Sequence, residues 1–333
     1  MAGPGVRPPP YAAHPHAVDQ PFHHLQRTPR WRWWRPLVGL GLLALLWLVA
    51  NLLLFGLASV GTSVTGIEAA AFTADESGNT GPLALLLGNL GLAVLIPAAA
   101  LAVLVAHRER PGWLSSVAGR LRWALLWRFT LLAAATTVIG YGTLLVVPDV
   151  PGEPAQVLQT PDPGLLIALL AVMVVSTPLQ AAAEEYAFRG YLLQAVAGWI
   201  PWSRVALWVA GALSATLFAL AHGTQDPGLF ASRLFFGLVA TWTVARTGGL
   251  EAAIALHTVN NLIVGAAAIS AGALSETLGE TELAWRYASV DIVATAAFGV
   301  LVVLWSRRLR PQRRSVVATP YAGLHPGAGT VIL

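Results

Sequence analysis

The feature that most constrains this chain is a series of apolar blocks, each about 20 residues long, the length a helix needs to cross about 30 Å of hydrocarbon. In lipid every backbone N–H and C=O must be satisfied internally, which leaves helices or closed barrels. The alternation of a barrel strand is absent from these blocks. They lie near 37–58, 83–105, 125–147, 164–183, 205–222, 229–245, 250–270 and 288–306. The expected fold is all-α, a polytopic membrane helix bundle with about eight transmembrane helices. Composition points the same way. Of 333 residues, 56% are hydrophobic and only 11% charged, whereas soluble domains carry about 25% charged residues.

The charges between the blocks alternate in kind. Arg27 to Arg35 precede the first block, and Glu68, Asp75 and Glu76 follow it. Arg108, Arg110, Arg120 and Arg122 follow the second, and Asp149, Glu153 and Asp162 the third. Arg189 and Arg204 follow the fourth, Arg246 the sixth, and Glu276, Glu280 and Glu282 the seventh. Arg307, Arg308, Arg310, Arg313 and Arg314 close the eighth. Positive charge marks the cytoplasmic side, so both termini are expected in the cytoplasm and the protein in the cell membrane, multi-pass. The net charge of +4 follows from this topology and does not call for a nucleic-acid partner. Trp31, Arg32, Trp33, Trp34 and Arg35 read as an interfacial anchor. The chain has no cysteine, which removes disulfides, thiolate metal sites, a cysteine nucleophile and cysteine lipidation.

Residues 1–30 are rich in Pro and His and carry no apolar period, so a disordered cytoplasmic tail is expected there. His14, His16, His23 and His24 in it could hold a metal only weakly. The transmembrane domain is expected over 31–310, and 311–333 reads as a second disordered cytoplasmic tail. No internal repeat of matched broken helices, as in many transporters, is visible.

The chemistry-bearing residues sit inside the apolar blocks. Glu184 and Glu185 lie in the run Ala181-Ala182-Ala183-Glu184-Glu185-Tyr186-Ala187-Phe188-Arg189. An ionisable side chain at membrane depth costs roughly 2.5–3.5 kcal/mol on insertion scales, so it marks a candidate site. Glu185 and Arg189 have i, i+4 spacing with the acid N-terminal, the better orientation for an ion pair. Glu184 points about 100° away around the helix. One Arg does not need two acids, which makes Glu184 the candidate for chemistry and Glu185 the candidate for support. Phe218 and His222 share a helix face, as do His257 and Asn261. Each pair alone also fits ordinary interhelical hydrogen bonding. Together, an acid, two imidazoles and an amide on separate spans can surround one water. A carboxylate can take its proton, and imidazole and amide donors can stabilise the oxyanion formed on a carbonyl.

The ordered set Glu-Glu-x-x-x-Arg, Phe-x-x-x-His, His-x-x-x-Asn resembles the CPBP family, which contains the type II CAAX prenyl endopeptidases and the bacteriocin-processing membrane proteases. The resemblance covers about 164–270, the expected core of the transmembrane domain. It implies an intramembrane endopeptidase in which Glu184 activates water, His222 is its partner on that water, and His257 with Asn261 forms the oxyanion site. Glu185, Arg189 and Phe218 are supporting. The implied partners are a peptide or membrane-protein substrate and the lipid bilayer; the family name does not fix the substrate. No cofactor is expected. The runner-up is zinc on Glu184, His222 and His257, though no His-Glu-x-x-His helix is present. Ser214 and Ser232 have no adjacent base and are not expected as nucleophiles. Two other readings compete: a catalytically silent scaffold or bacteriocin-immunity protein, and a proton-coupled transporter using Glu184 and the histidines as a relay.

Glu184 and His222 each lie 19 residues from Ser203, so a helical hairpin turning there sets them level. A straight helix from Gly164 to Gly198 would be roughly 50 Å long, too long for the bilayer. Either a kink at Pro178 or an interfacial course for 186–200 is expected. His257 follows the Gly248-Gly249 turn closely, which favours a site in the cytoplasmic half.

Overall fold

The structure is a computed structural model that describes residues 19–65, 80–145 and 161–315. Among the described residues there is no strand, and eight helices are long and apolar enough to cross a membrane. They are α1 Arg35–Thr65, α2 Pro82–His107, α3 Trp123–Gly142, α4 Pro163–Ala197, α5 Ser203–Leu220, α6 Pro227–Thr247, α7 Glu251–Ala271 and α8 Trp285–Leu309. Each coincides with one expected block, and the protein is a multi-pass all-α bundle. Start signals are local: Asp162 and Asp226 cap α4 and α6 by accepting from backbone N–H groups, each with Pro as the next residue.

The bundle is organised around α4, α6 and α7. Helix α4 packs on α2 and α7, α5 on α6, and α3 and α8 close the far side against α7 and α6. Small residues let these helices approach closely, as expected where burial of apolar area gives no drive between helices in lipid. A Cβ on Gly140 would sit 2.6 Å from the Ala294 Cβ, and one on Gly237 would sit 2.7 Å from the Ala215 Cβ. Helix α1 lies at the periphery and leaves Leu52, Leu53 and Leu57 exposed.

The 35-residue α4 continues without a break past Glu185. It remains helical to Ala197, with Pro178 inside it and a π-helical turn over Tyr186–Leu192. The distortion therefore falls one residue beyond the acid pair. A π turn inside an α-helix is often found at functional sites.

Residues 19–30 depart from the expected disordered tail. A short 3-10 turn spans Phe22–His24, and Phe22, His23, His24 and Leu25 are buried. The side chains of this strap donate to carbonyls that the end of α4 leaves without helical partners. His24 Nε2 lies 3.1 Å from the Ile200 carbonyl oxygen, and Arg27 donates to the Gly198 carbonyl at 3.3 Å. His23 Nε2 lies 3.0 Å from both Oγ and the carbonyl oxygen of Ser203. Residues 311–315 are also ordered: Arg314 bridges to Pro21, and the Ser315 amide donates to the Gln20 carbonyl at 2.9 Å. The two described ends of the chain thus meet at one end of the bundle. His14, His16 and residues 316–333 lie outside the described residues, as do Glu68, Asp75, Glu76, Asp149 and Glu153.

Candidate active site

Helix α4 carries two adjacent polar stripes at i, i+4 spacing. Gln180 and Glu184 form one, Glu185 and Arg189 the other. In the second, Arg189 Nη1 donates to Glu185 Oε1 at 2.8 Å, and both side chains have no solvent exposure. A buried charge is tolerated only when paired or otherwise solvated. The Arg189 guanidinium has both: its Cζ lies 4.3 Å from the Phe218 ring centroid, 5.8 Å from Phe236 and 6.0 Å from Phe188. Ring faces attract a cation, which accounts for Nε and Nη2 having no hydrogen-bond acceptor.

Phe218 is the centre of an aromatic cluster that gathers both histidines. Its ring meets His222 edge-on at 4.8 Å and His257 at 5.7 Å, and stacks on Phe236 at 5.6 Å. His222 lies two residues past the end of α5, exposed at the rim of the site. Its Nδ1 lies 2.8 Å from the Phe218 carbonyl oxygen. A carbonyl only accepts, so Nδ1 carries a proton, and in the neutral ring Nε2 is the free acceptor. Glu184 and His222 are within electrostatic range of one another.

His257, on α7, is buried and held from two sides. Nδ1 lies 2.9 Å from Glu185 Oε1, and Nε2 lies 3.8 Å from Glu184 Oε2. Glu185 therefore joins Arg189 to His257, and the other carboxylate faces the opposite ring nitrogen across a gap too long for a direct hydrogen bond. Asn261, one turn along α7, donates through Nδ2 to Gln180 Oε1 at 3.2 Å, and Gln180 Nε2 donates to Glu184 Oε1 at 2.5 Å. The structure thus brings Glu184, Glu185, Arg189, Phe218, His257 and Asn261 into one connected cluster with His222 at its edge.

Gln180, Phe188 and Phe236 are members of this cluster that the motifs did not single out. For Gln180 a signal existed, a lone amide in an apolar span at i, i+4 from Glu184. The two phenylalanines carried none beyond hydrophobicity. Of the two serines, Ser214 Oγ donates to the Phe188 carbonyl, whereas Ser232 Oγ donates to the Asp291 carboxylate on α8, an acceptor that its sequence neighbours did not show. Asp291, a half-buried acid on α8 that also accepts from Tyr141, is separate from the cluster.

The zinc alternative requires about three donors converging on one point. Among the described residues no three His, Asp or Glu side chains are grouped so as to hold a metal. In this arrangement the residues do not fit a zinc site.

Residues 164–263 match the model of a family described as type II CAAX prenyl endopeptidase Rce1-like. This segment, under a third of the chain, resembles that family. It spans α4 to the middle of α7 and contains every residue of the cluster named above. The chain is also 29% identical over 109 residues to the uncharacterized protein YyaK of Bacillus subtilis (strain 168). That match covers 32% of this chain and 36% of the relative. The Rce1-like segment therefore accounts for the site, while α1 to α3 and α8 lie outside the match and surround it.

Proposed function

We propose that the protein is an intramembrane endopeptidase of the cell membrane that hydrolyses a peptide bond by direct attack of a Glu184-activated water, with no covalent intermediate. The observation that carries this reading is the facing of Glu184 Oε2 and His257 Nε2 at 3.8 Å within a buried, Rce1-like segment. A water beside that gap can touch both atoms. Glu184 takes its proton as oxygen attacks the carbonyl carbon, then delivers the proton to the leaving amine. His222 Nε2 accepts from the same water and orients it. The oxyanion is met by Asn261 Nδ2–H and by His257 Nε2 when that nitrogen carries a proton; such donors are each worth about 2.7–4 kcal/mol.

The charges support this division of labour. The buried Glu185 carboxylate is met by Arg189 on α4 and by His257 on α7. A low-dielectric interior tolerates a charge that is paired. Glu185 then holds His257 in register as a donor, and Arg189 holds Glu185. The substrate is a peptide or membrane-protein segment reaching the site from the bilayer or its surface, with the site in the cytoplasmic half and both termini in the cytoplasm. A silent scaffold or a proton-coupled transporter would need no amide poised beside the acid and imidazole.

The test compares peptide termini in host membranes carrying wild-type protein or Glu184→Ala at equal abundance. Termini present only with wild type are expected. Identical termini in both would sink the peptidase reading.

A further inference from the structure

We propose that Gln180 is a positioning residue of this site: it selects which oxygen of Glu184 acts as the base and fixes the direction in which the Asn261 amide points. The inference rests on the peptidase reading above and deepens it.

The argument follows from what each atom can donate or accept. An ionised carboxylate only accepts, so the Gln180 atom 2.5 Å from Glu184 Oε1 is the amide nitrogen. The Gln180 oxygen is thereby turned toward α7. An amide oxygen only accepts, so the Asn261 atom 3.2 Å from it is Nδ2. One acid on α4 thus dictates, through one side chain, the orientation of an amide on another helix. Two consequences follow. Oε1 of Glu184 is occupied, leaving Oε2, the oxygen facing His257, free to take a proton. Asn261 uses one N–H on Gln180 and keeps the second for an oxyanion.

Without Gln180, the Asn261 amide could rotate by half a turn and present its oxygen to a developing negative charge. Glu184 could likewise rotate and offer either oxygen. Gln180 is 7% exposed, and it lies where α4 packs on α7. A buried amide there is costly unless both its ends are used, and both are used on residues of the site.

The test uses the full-length protein in liposomes and a peptide spanning a Glu184-dependent terminus found in host membranes. Gln180→Met keeps length and apolar contact while removing both hydrogen bonds. A positioning role acts on the transition state, so kcat should fall about 10–100-fold with KM within about twofold. The loss should shrink several-fold in an Asn261→Ala background, because one of the groups Gln180 orients is already gone. Gln180→Glu, which keeps an acceptor for Asn261 but loses the donor to Glu184, should retain part of the coupling to Asn261. Thermal unfolding of each variant separates misfolding from misplacement. Wild-type kcat in Gln180→Met, or an equal loss with and without Asn261, overturns the proposal and leaves the peptidase reading standing. Host membranes without any Glu184-dependent terminus overturn both.

Discussion

At the scale of single residues, the two adjacent glutamates have opposite energetic roles. Glu185 is fully buried and touches both Arg189 and His257. Removing its charge leaves a guanidinium with aromatic faces but no counter-ion, a change that costs about 3–5 kcal/mol for a buried pair. Glu184 has no such dependant; its Oε1 is held by a neutral amide. Glu185→Gln is therefore expected to lower the unfolding temperature strongly, and Glu184→Gln to leave it nearly unchanged while abolishing hydrolysis. Thermal unfolding in detergent, measured beside the terminus assay, checks both halves. Equal stability loss in the two variants would refute this division. A second residue-scale expectation concerns Phe218, whose ring lies 4.3 Å under the Arg189 guanidinium. Phe218→Leu keeps most of the apolar volume but removes the ring face, at a cost of about 2 kcal/mol for a desolvated cation–π contact. The sequence made the Glu185–Arg189 pair legible through spacing alone, and Phe218 through its position beside His222. It could not show that Glu185, and not Glu184, holds Nδ1 of His257, because that depends on how α7 is rotated against α4.

At the scale of elements, the eight spans were legible because bilayer thickness fixes their length and lipid fixes their polarity. Their internal distortions were not. Pro178 was the visible candidate for a break in α4, yet the structure keeps it in the helix and widens the next turn but one, at Tyr186–Leu192. A π turn follows from side-chain demands on both sides of the helix, here Arg189 toward the aromatic cluster and Tyr191 toward His107. No residue type announces it. The strap over 19–30 was misread for a related reason. Its order comes from hydrogen bonds to the carbonyls at the end of α4 and to Ser203, which leave no apolar period in the sequence. Close helix contact supplies the element-scale prediction. A Cβ on Gly237 would sit 2.7 Å from Ala215 and 3.0 Å from Arg189 Nη2. Gly237→Val should force α5 and α6 apart and cost about 1–3 kcal/mol by overpacking. It should also impair hydrolysis, since Arg189 must move. A variant with wild-type unfolding temperature and activity would show that this crossing is not tight.

At the scale of the whole molecule, the strap and the loop after α2 place titratable groups of opposite kind at the same end of the bundle. Burial pushes the Glu109 carboxyl up to about 7, despite Thr28, Arg30 and Arg35 nearby, and burial with His24 beside it pushes His23 down to about 4. For Glu109 the folded chain keeps a proton that the unfolded chain releases near 4.5. Its contribution is present below that pH and is lost as pH rises toward 7, by about 3 kcal/mol in total. For His23 the unfolded chain binds a proton near 6.5 that the folded chain refuses until about 4. Its contribution is present above 6.5 and is lost on acidification, by a similar amount of about 3 kcal/mol. Between about 4.5 and 6.5 the two slopes have opposite sign. Glu109→Gln removes the slope of the carboxyl, so that the unfolding temperature should rise with pH across this window relative to wild type. His23→Gln removes the opposing slope, so that it should fall with pH relative to wild type; His24, which burial also lowers, contributes to both proteins alike. Unfolding curves for the three proteins at half-unit steps from pH 4 to 7.5 read both slopes directly. Parallel curves for all three would mean that neither group changes protonation when this end of the bundle assembles.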